Sequence, residues 1–272
     1  MTHGSNSPAN EPPVKLDTSV AHSARLWNYL LGGKDNFAAD REAAEYALAL
    51  MPDLVLSARA DREFLGRAVR YLAGTAGIRQ FLDIGTGLPT ANNTHEVAQS
   101  VAPESRIVYV DNDPMVLVHA RALLTSTPEG ATDYIEADVR DPEKILQSAA
   151  DTLDFTRPVA VMLLGIMNFV IDNDEAYTVV DRLMAAVPSG SFLVMSHPTR
   201  EVNPEAVDES MKRWNDSGAA PICARSLAEL TRFYEGLELL EPGIVSCSQW
   251  RPDDTTTVTA LVTEFGGIGR KP

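Results

Sequence analysis

Residues 81–99 read FLDIGTGLPTANNTHEVAQ, and residues 106–113 read RIVYVDND. The first stretch begins in a short apolar run, 80–84, that carries the carboxylate of Asp83 and passes at once into Gly85 and Gly87. Polar residues suited to a helix start follow. The second run is apolar from Ile107 to Val110 and is tipped by Asp111 and Asp113. An apolar strand, a tight glycine turn, a helix and a second strand ending in acid describe a nucleotide-type cleft at the edge of a parallel sheet.

The pattern extends outward from that unit. Strands are expected at 80–84, 106–111, 133–136, 159–164 and 191–196, with helices at 91–101, 114–125, 142–150 and 173–187 between them. Asp113-Pro114 and Asp141-Pro142 each place a capping carboxylate before a proline at the first helical position. Alternating strands and helices imply a doubly wound α/β sheet with helices on both faces. Beyond residue 196 a helix runs from Asn203-Pro204 to Asn215, and Ser226 with Glu229 forms a capping box. The runs 239–246 and 256–265 read as a closing antiparallel hairpin. Ahead of the sheet lie three helical patterns, 20–31 (stopped by Gly32-Gly33), 36–50 and 59–73, the last with Phe64, Leu65, Ala68, Val69 and Leu72 on one face. The expected organisation is a tail at 1–17, an N-terminal helical cap or lid at 18–76, and a core at 77–272, cap and core forming one compact unit.

Composition narrows the partners. With 272 residues and 44% apolar content the chain can bury a full core, and its net charge of −15 repels phosphate backbones and anionic lipid. Nucleic acid and membrane are therefore not expected partners; a small molecule is. The longest apolar stretch, Val159 to Ile171, contains Asn168 and is too short to span a bilayer. Cys223 and Cys247 make neither a disulfide framework nor a metal set, and no His, Cys and carboxylate group has metal-ligand spacing. A reducing, cytoplasmic compartment is expected.

The kind of nucleotide turns on Asp83. A dinucleotide fingerprint wants a third glycine where Thr90 stands, and a P-loop is absent. A carboxylate two residues before the first glycine faces a pyrophosphate badly and a cation well. S-adenosylmethionine, with an ammonium, a sulfonium and no phosphate, suits the D-x-G-x-G arrangement. Asp111 is placed for ribose hydroxyls and Asp138 for an adenine amine.

On these residues the chain resembles the class I S-adenosylmethionine-dependent methyltransferases. Through SARLWNYLLGGKDNFAADREAAE (23–45) it is more narrowly similar to an actinobacterial "S-adenosyl methyltransferase" family of unknown function. The resemblance runs from about residue 18 to the C-terminus. It implies a Rossmann-like, seven-stranded sheet in the order 3-2-1-4-5-7-6 with strand 7 antiparallel. It also implies that Asp83, Gly85, Thr86 and Gly87 form the first cofactor motif, Asp111 and Asn112 the ribose position, and Asp138 and Val139 the adenine position. Gly165, Ile166, Met167 and Asn168 then line the methyl-transfer site. Pro89 departs from the family's third small residue.

Methyl transfer needs positioning and a water-poor site, and a base only where the acceptor must lose a proton. His197, after the fifth strand, is the candidate base, and Tyr29 is the other candidate catalytic group. Tyr29, Gly32, Gly33, Lys34 and Asn36 flank the break between the first two helices and read either as a lid over the pocket or as a solvated C-cap. Arg25, one turn before Tyr29, faces either the same pocket or a surface ion pair. His95 and the three tryptophans, Trp27, Trp214 and Trp250, read as packing residues. The expected function is methyl transfer from S-adenosylmethionine to a small acceptor. The alternatives are a non-catalytic S-adenosylmethionine-binding or regulatory module and an NAD-dependent oxidoreductase.

Overall fold

A computed structural model describes residues 17–123 and 125–272; the expected tail, apart from Asp17, lies outside the described residues. The parallel sheet forms where the apolar runs predict it: β1 (Gln80–Ile84), β2 (Arg106–Asp111), β3 (Ala131–Glu136), β4 (Ala160–Leu164) and β5 (Phe192–Pro198). β1 is buried along its whole length, as a strand covered on both faces must be. Helices α1 (Ser23–Leu30), α2 (Ala38–Leu50) and α3 (Leu54–Arg70) precede the sheet, and α4 (Thr94–Val101), α5 (Pro114–Leu123), α6 (Pro142–Ala149) and α7 (Asn173–Ala185) are its crossovers. α8 (Pro204–Asn215) and α9 (Leu227–Arg232) follow β5. The capping residues act as expected: Asp113 accepts from the Met115 amide at 2.9 Å, Asp141 from Lys144 at 3.1 Å, and Glu229 from Ser226 at 2.8 Å.

Three expectations shift. Helix α4 begins at Thr94, not at 91, because Asn92 is left-handed (φ 61°) and Asn93 is the residue whose amide Glu96 caps, at 2.7 Å. The closing hairpin is displaced toward the C-terminus. The run 239–246 supplies only two short strands, β6 (Glu238–Leu239) and β7 (Val245–Ser246), while β8 is Glu264–Arg270 and most of 256–265 is loop. The sheet order is β3-β2-β1-β4-β5-β8-β6, with β7 also on β8, and β8 antiparallel to its neighbours. This is the 3-2-1-4-5-7-6 architecture with its sixth strand split in two.

The third shift concerns the helical segment ahead of the sheet. Phe64, Leu65, Ala68 and Val69 of α3, with Leu72 in the π-helical turn that continues it, pack directly on Phe81, Ile107 and Val194 of the sheet, whereas α1 and α2 share a small separate cluster around Leu26, Leu30 and Ala44. The helix α3 is thus a layer of the core. β8 passes beneath it as EFGGIGR, and a Cβ on Gly266 would meet the Phe64 ring at 2.7 Å and Cys247 Sγ at 3.1 Å. Glycine is required there by the closeness of α3, so Gly266→Ala is expected to lower stability by about 1–3 kcal/mol through overpacking. An unchanged urea midpoint would show that Phe64 yields freely.

Candidate functional site

The carboxyl ends of β1, β2, β4 and β5 open into one cavity of about 520 Å³, within the roughly 300–1,000 Å³ range of small-molecule sites. Asp83, Gly85, Thr86, Gly87, Asp111, Asn112, Asp138, Val139, Gly165, Ile166 and Asn168 line it, so the sequence motifs converge as expected. The exception is Met167. Its side chain is fully buried in the core under the sheet, and its carbonyl accepts from Arg225 at 2.8 Å.

The glycine turn is built around hydrogen bonds that leave its ligand-facing side clear. Gly85 and Gly87 are left-handed, with φ of 80° and 66°, and the Gly85 amide donates to Val110 O at 2.8 Å. A Cβ on Gly85 would stand 2.7 Å from Ile166, so the turn and the loop after β4 approach as closely as backbone allows. Asp111 fixes the turn from the next strand. One oxygen accepts from the Gly87 amide and the other from the Asp113 amide, both at 2.9 Å, and each retains a lone pair toward the cavity wall.

Asp83 is buried and accepts from Thr94 Oγ1 at 2.6 Å. Burial pushes its pKa up to about 6; Thr94 and the charge of Arg62 oppose the rise, while Asp111 and Asp61 add to it. Burial likewise raises Asp111. Asp138 is more open. Its carboxylate takes both the Arg140 amide, at 2.9 Å, and the Arg140 guanidinium, at 3.2 Å, and Arg140 also donates to Phe169 O across the cavity rim. The donor set fits a cationic nucleoside without phosphate: acid at the glycine turn, acid at the second strand, a buried apolar Val139, and Asn168 with an unpartnered Oδ1.

The motif at 23–45 roofs this cavity, but not with the residues expected. Ala24, Trp27, Asn28 and Leu31 form the helix face that lines it. Arg25 and Tyr29 lie on the other side. Arg25 is buried against Asp40, at 3.1 Å, and holds the carbonyls of Asp17 and Val20, while the Tyr29 hydroxyl reaches Glu45 at 3.3 Å. The Gly32-Gly33 break is a clamp around Asn28. Asn28 Oδ1 accepts from the Asp35 amide and from Asn36 Nδ2, both at 3.0 Å, and a Cβ on Gly33 would collide with the Asn28 side chain at 2.3 Å. Gly32, one residue past the Leu31 C-cap of α1, is left-handed, and Lys34 is exposed. Of this group only Asn28, which sequence reading passed over, touches the cavity.

His197 does not reach the cavity either. It is 1% exposed; Nδ1 meets Pro198 O at 2.7 Å and Nε2 meets the Arg225 guanidinium at 2.8 Å. Burial drives its pKa down to about 3, with the Arg225 charge adding to the effect. A neutral imidazole with both nitrogens engaged is a brace, not a base. His95 proves to be a packing partner, bonded to Tyr109, and Trp250 lies in the core, whereas Trp27 and Trp214 both pack in the roof and line the cavity. Among the lining residues that sequence reading passed over are three charged ones, Asp61 and Arg62 on α3 and Glu264 on β8. Arg62 reaches the carbonyls of Ala91 and Asn92, at 3.2 and 3.1 Å, and so ties α3 to the glycine loop. Among the described residues no group of His, Cys, Asp or Glu is placed to hold a metal ion, and no helix is long and apolar enough to cross a membrane.

A family model described as S-adenosyl methyltransferase matches residues 9–272. A DUF574 family protein from Streptomyces avermitilis is 49% identical, with a TM-score of 0.90 over 94% of this chain and 99% of its own. A candidate methyltransferase from Thermobifida fusca is 45% identical, with a TM-score of 0.86 over 96% of this chain and 98% of its own. A methyltransferase from Anabaena variabilis, at 11% identity and a TM-score of 0.51 over 74% of this chain and 80% of its own, shares the fold. No curated protein matches the chain significantly.

Proposed function

Because the chain belongs to the S-adenosyl methyltransferase family and takes its methyl group from S-adenosylmethionine, we propose that it methylates a small molecule enclosed between the glycine turn and the roof of α1, α2 and α8. The observation that supports this reading is the single cavity. It runs without a break from Gly85, Gly87 and Asp111 to Trp27, Tyr46 and Trp214. One end suits the cofactor, and the other, walled by apolar side chains, is left for an acceptor of limited size.

In this reading Asp111 and Asn112 take the ribose, and Val139 offers an apolar face to the adenine with Asp138 beside it. The amides of 85–87 are already engaged by Val110 O and Asp111, so the turn offers its carbonyls to the ammonium of the amino-acid end, and Gly165, Ile166 and Asn168 border the transfer site. Arg62, the cation of α3 that already grips the glycine loop, is placed for the carboxylate of that end. When bound, S-adenosylmethionine supplies an electrophilic methyl on a sulfonium. The protein aligns the acceptor with it and keeps water out. Within the roof, α1 and α2 are tied by the buried Asp40, which accepts from His22 N and Phe37 N at 2.8 Å each. It forms one unit with the core, α3 serving as the layer between them.

Isothermal titration tests this reading. S-adenosylhomocysteine should bind with micromolar affinity and NAD should give no heat; a protein silent to S-adenosylhomocysteine at millimolar concentration would refute it. Neither the family match nor the two close relatives lend support to the dinucleotide or the non-catalytic alternative.

A further inference from the structure

Two carboxylates in the cavity have no partner for one of their oxygens. Asp61 and Glu264 are each 6% exposed and both line the cavity, yet neither Asp61 Oδ1 nor Glu264 Oε2 has a partner at hydrogen-bond geometry; the buried Ser196 hydroxyl, itself unpartnered, is the one polar group close enough to lower the Asp61 pKa as a donor, and Glu264 has none. They come from different layers, Asp61 from the sheet-facing side of α3 and Glu264 from the first residue of β8, opposite Pro198 in the β5–β8 ladder. The packing of α3 on the sheet brings them together. Among the described residues neither forms an ion pair within 4 Å; the nearby Arg62, whose charge opposes the rise in the Asp61 pKa, points Nη2 at the carbonyls of Ala91 and Asn92 instead. Buried carboxylate oxygens left unbonded are costly, and a structure retains them where something else supplies the donors.

We propose that Asp61 and Glu264 receive the amino group of the acceptor, so that the atom methylated is an amine nitrogen. This rests on the reading that S-adenosylmethionine occupies the glycine-turn end of the same cavity. An ammonium presents several donors, and the two unpartnered oxygens accept them from different sides. Burial raises both carboxyls, and the charge of Asp61 raises Glu264 further. A carboxylate of the pair takes a proton from the ammonium and leaves a lone pair on nitrogen. That lone pair forms the N–C bond as the methyl–sulfur bond breaks, the bonding electrons stay on sulfur, and the product leaves as a methylammonium. The pair sits near enough to the cofactor end for Asp61 to raise Asp83, while the apolar walls at Leu54, Leu65 and Trp214 accept the carbon skeleton.

The test uses the full chain saturated with S-adenosylhomocysteine and probes that differ in one group. Phenethylamine, cyclohexylamine and 1,4-diaminobutane are compared with phenethyl alcohol and phenylacetate by thermal shift. At least one amine should raise the melting temperature while the alcohol and the acid do not. Asp61→Asn and Glu264→Gln should each abolish that shift and leave S-adenosylhomocysteine affinity within about twofold. With labelled S-adenosylmethionine, the binding amine should gain a methyl on nitrogen. Four outcomes overturn the proposal: no amine shifts the loaded protein, the alcohol does as well as the amine, the amine shift survives in both variants, or the variants lose S-adenosylhomocysteine instead. The last would assign the pair to the cofactor's own ammonium. Failure of the native protein to bind S-adenosylhomocysteine would be a different result, one against the cofactor site itself. The comparison of probes on the native protein stands even if a variant does not fold.

Discussion

Asp83→Asn is expected to bind S-adenosylmethionine roughly ten- to a hundredfold more weakly, as loss of a charged hydrogen-bond acceptor would dictate, and yet to be more stable than the native protein when no ligand is present. Both effects have one cause. The Asp83 carboxyl lies buried beneath the glycine turn, and burial raises its pKa from 3.8 to about 6. A raised folded-state value means that the native state holds its proton where the unfolded chain has released it, so stability falls as the pH rises from about 4 to about 6 and this contribution is then flat. Two pKa units correspond to about 3 kcal/mol. Asparagine keeps an acceptor for Thr94, which now bonds Asp83 at 2.6 Å, and removes the charge. Urea unfolding of both proteins between pH 4.5 and 8 should show an advantage to the variant that grows from about 1 kcal/mol at the acid end to about 3 kcal/mol above pH 6. The comparison must be made against the native chain, because His197, with its lowered pKa, contributes the opposite slope below about pH 6.5. S-adenosylmethionine affinity of the native protein should rise through pH 6 as the carboxylate forms, and that rise should vanish in the variant. A variant that is less stable at pH 7, or that binds as tightly, would mean that the Asp83 charge is not held for a cation.

How far the sequence anticipates this site depends on what kind of force placed each residue. The acidic strand tips and the glycine turn were legible because they are local: a strand must end, a turn needs left-handed residues, and Asp83, Gly85, Gly87 and Asp111 are fixed by neighbours along the chain or by the adjacent strand. The Gly-Gly break of the roof was legible as a break, but its orientation was not. Arg25 and Tyr29 share a helix face, and so do Ala24, Trp27, Asn28 and Leu31; only the docking of α2, through the buried Asp40, decides which face looks into the cavity. Glycine-rich EFGGIGR carries weak strand propensity, and its reason for being a strand is the Phe64 ring 200 residues earlier, invisible to any local pattern. Asp61 left a signal that went unread: it falls three and four residues before Phe64 and Leu65, an acid on the face that α3 buries. A charge on the apolar side of an amphipathic helix calls for a partner, and Glu264 and an open cavity are what the fold puts there.

Arg225→Met is expected to cost about 4 kcal/mol or more, since several buried acceptors lose their donor together. Arg225 is 1% exposed and stands just before α9, in a loop with no pattern of its own. Its guanidinium donates to Met167 O at 2.8 Å, Val170 O at 2.6 Å and Asn173 Oδ1 at 2.9 Å, and meets His197 Nε2 at 2.8 Å. Two of those acceptors are carbonyls of the turn after β4, the segment that carries Ile166 and Asn168 into the cavity, and the fourth is the imidazole at the end of β5. One cation therefore holds the border of the proposed transfer site against the next strand. Methionine keeps an unbranched, polarisable stem but is shorter and supplies no donor. Arg225→Lys should recover only a minor part of the loss, because an ammonium cannot point at four acceptors spread around a plane. Hydrogen exchange should locate the damage: amides of 165–170 should lose protection first, while those of β1 and β2 exchange only with global unfolding. In the native protein the His197 ring should remain neutral in NMR titration down to pH 5, and in Arg225→Met, with Nε2 released and the neighbouring charge gone, its pKa should rise. A loss below about 1 kcal/mol, the typical worth of a single hydrogen bond, with protection of 165–170 unchanged, would show that the turn after β4 holds its shape without the arginine.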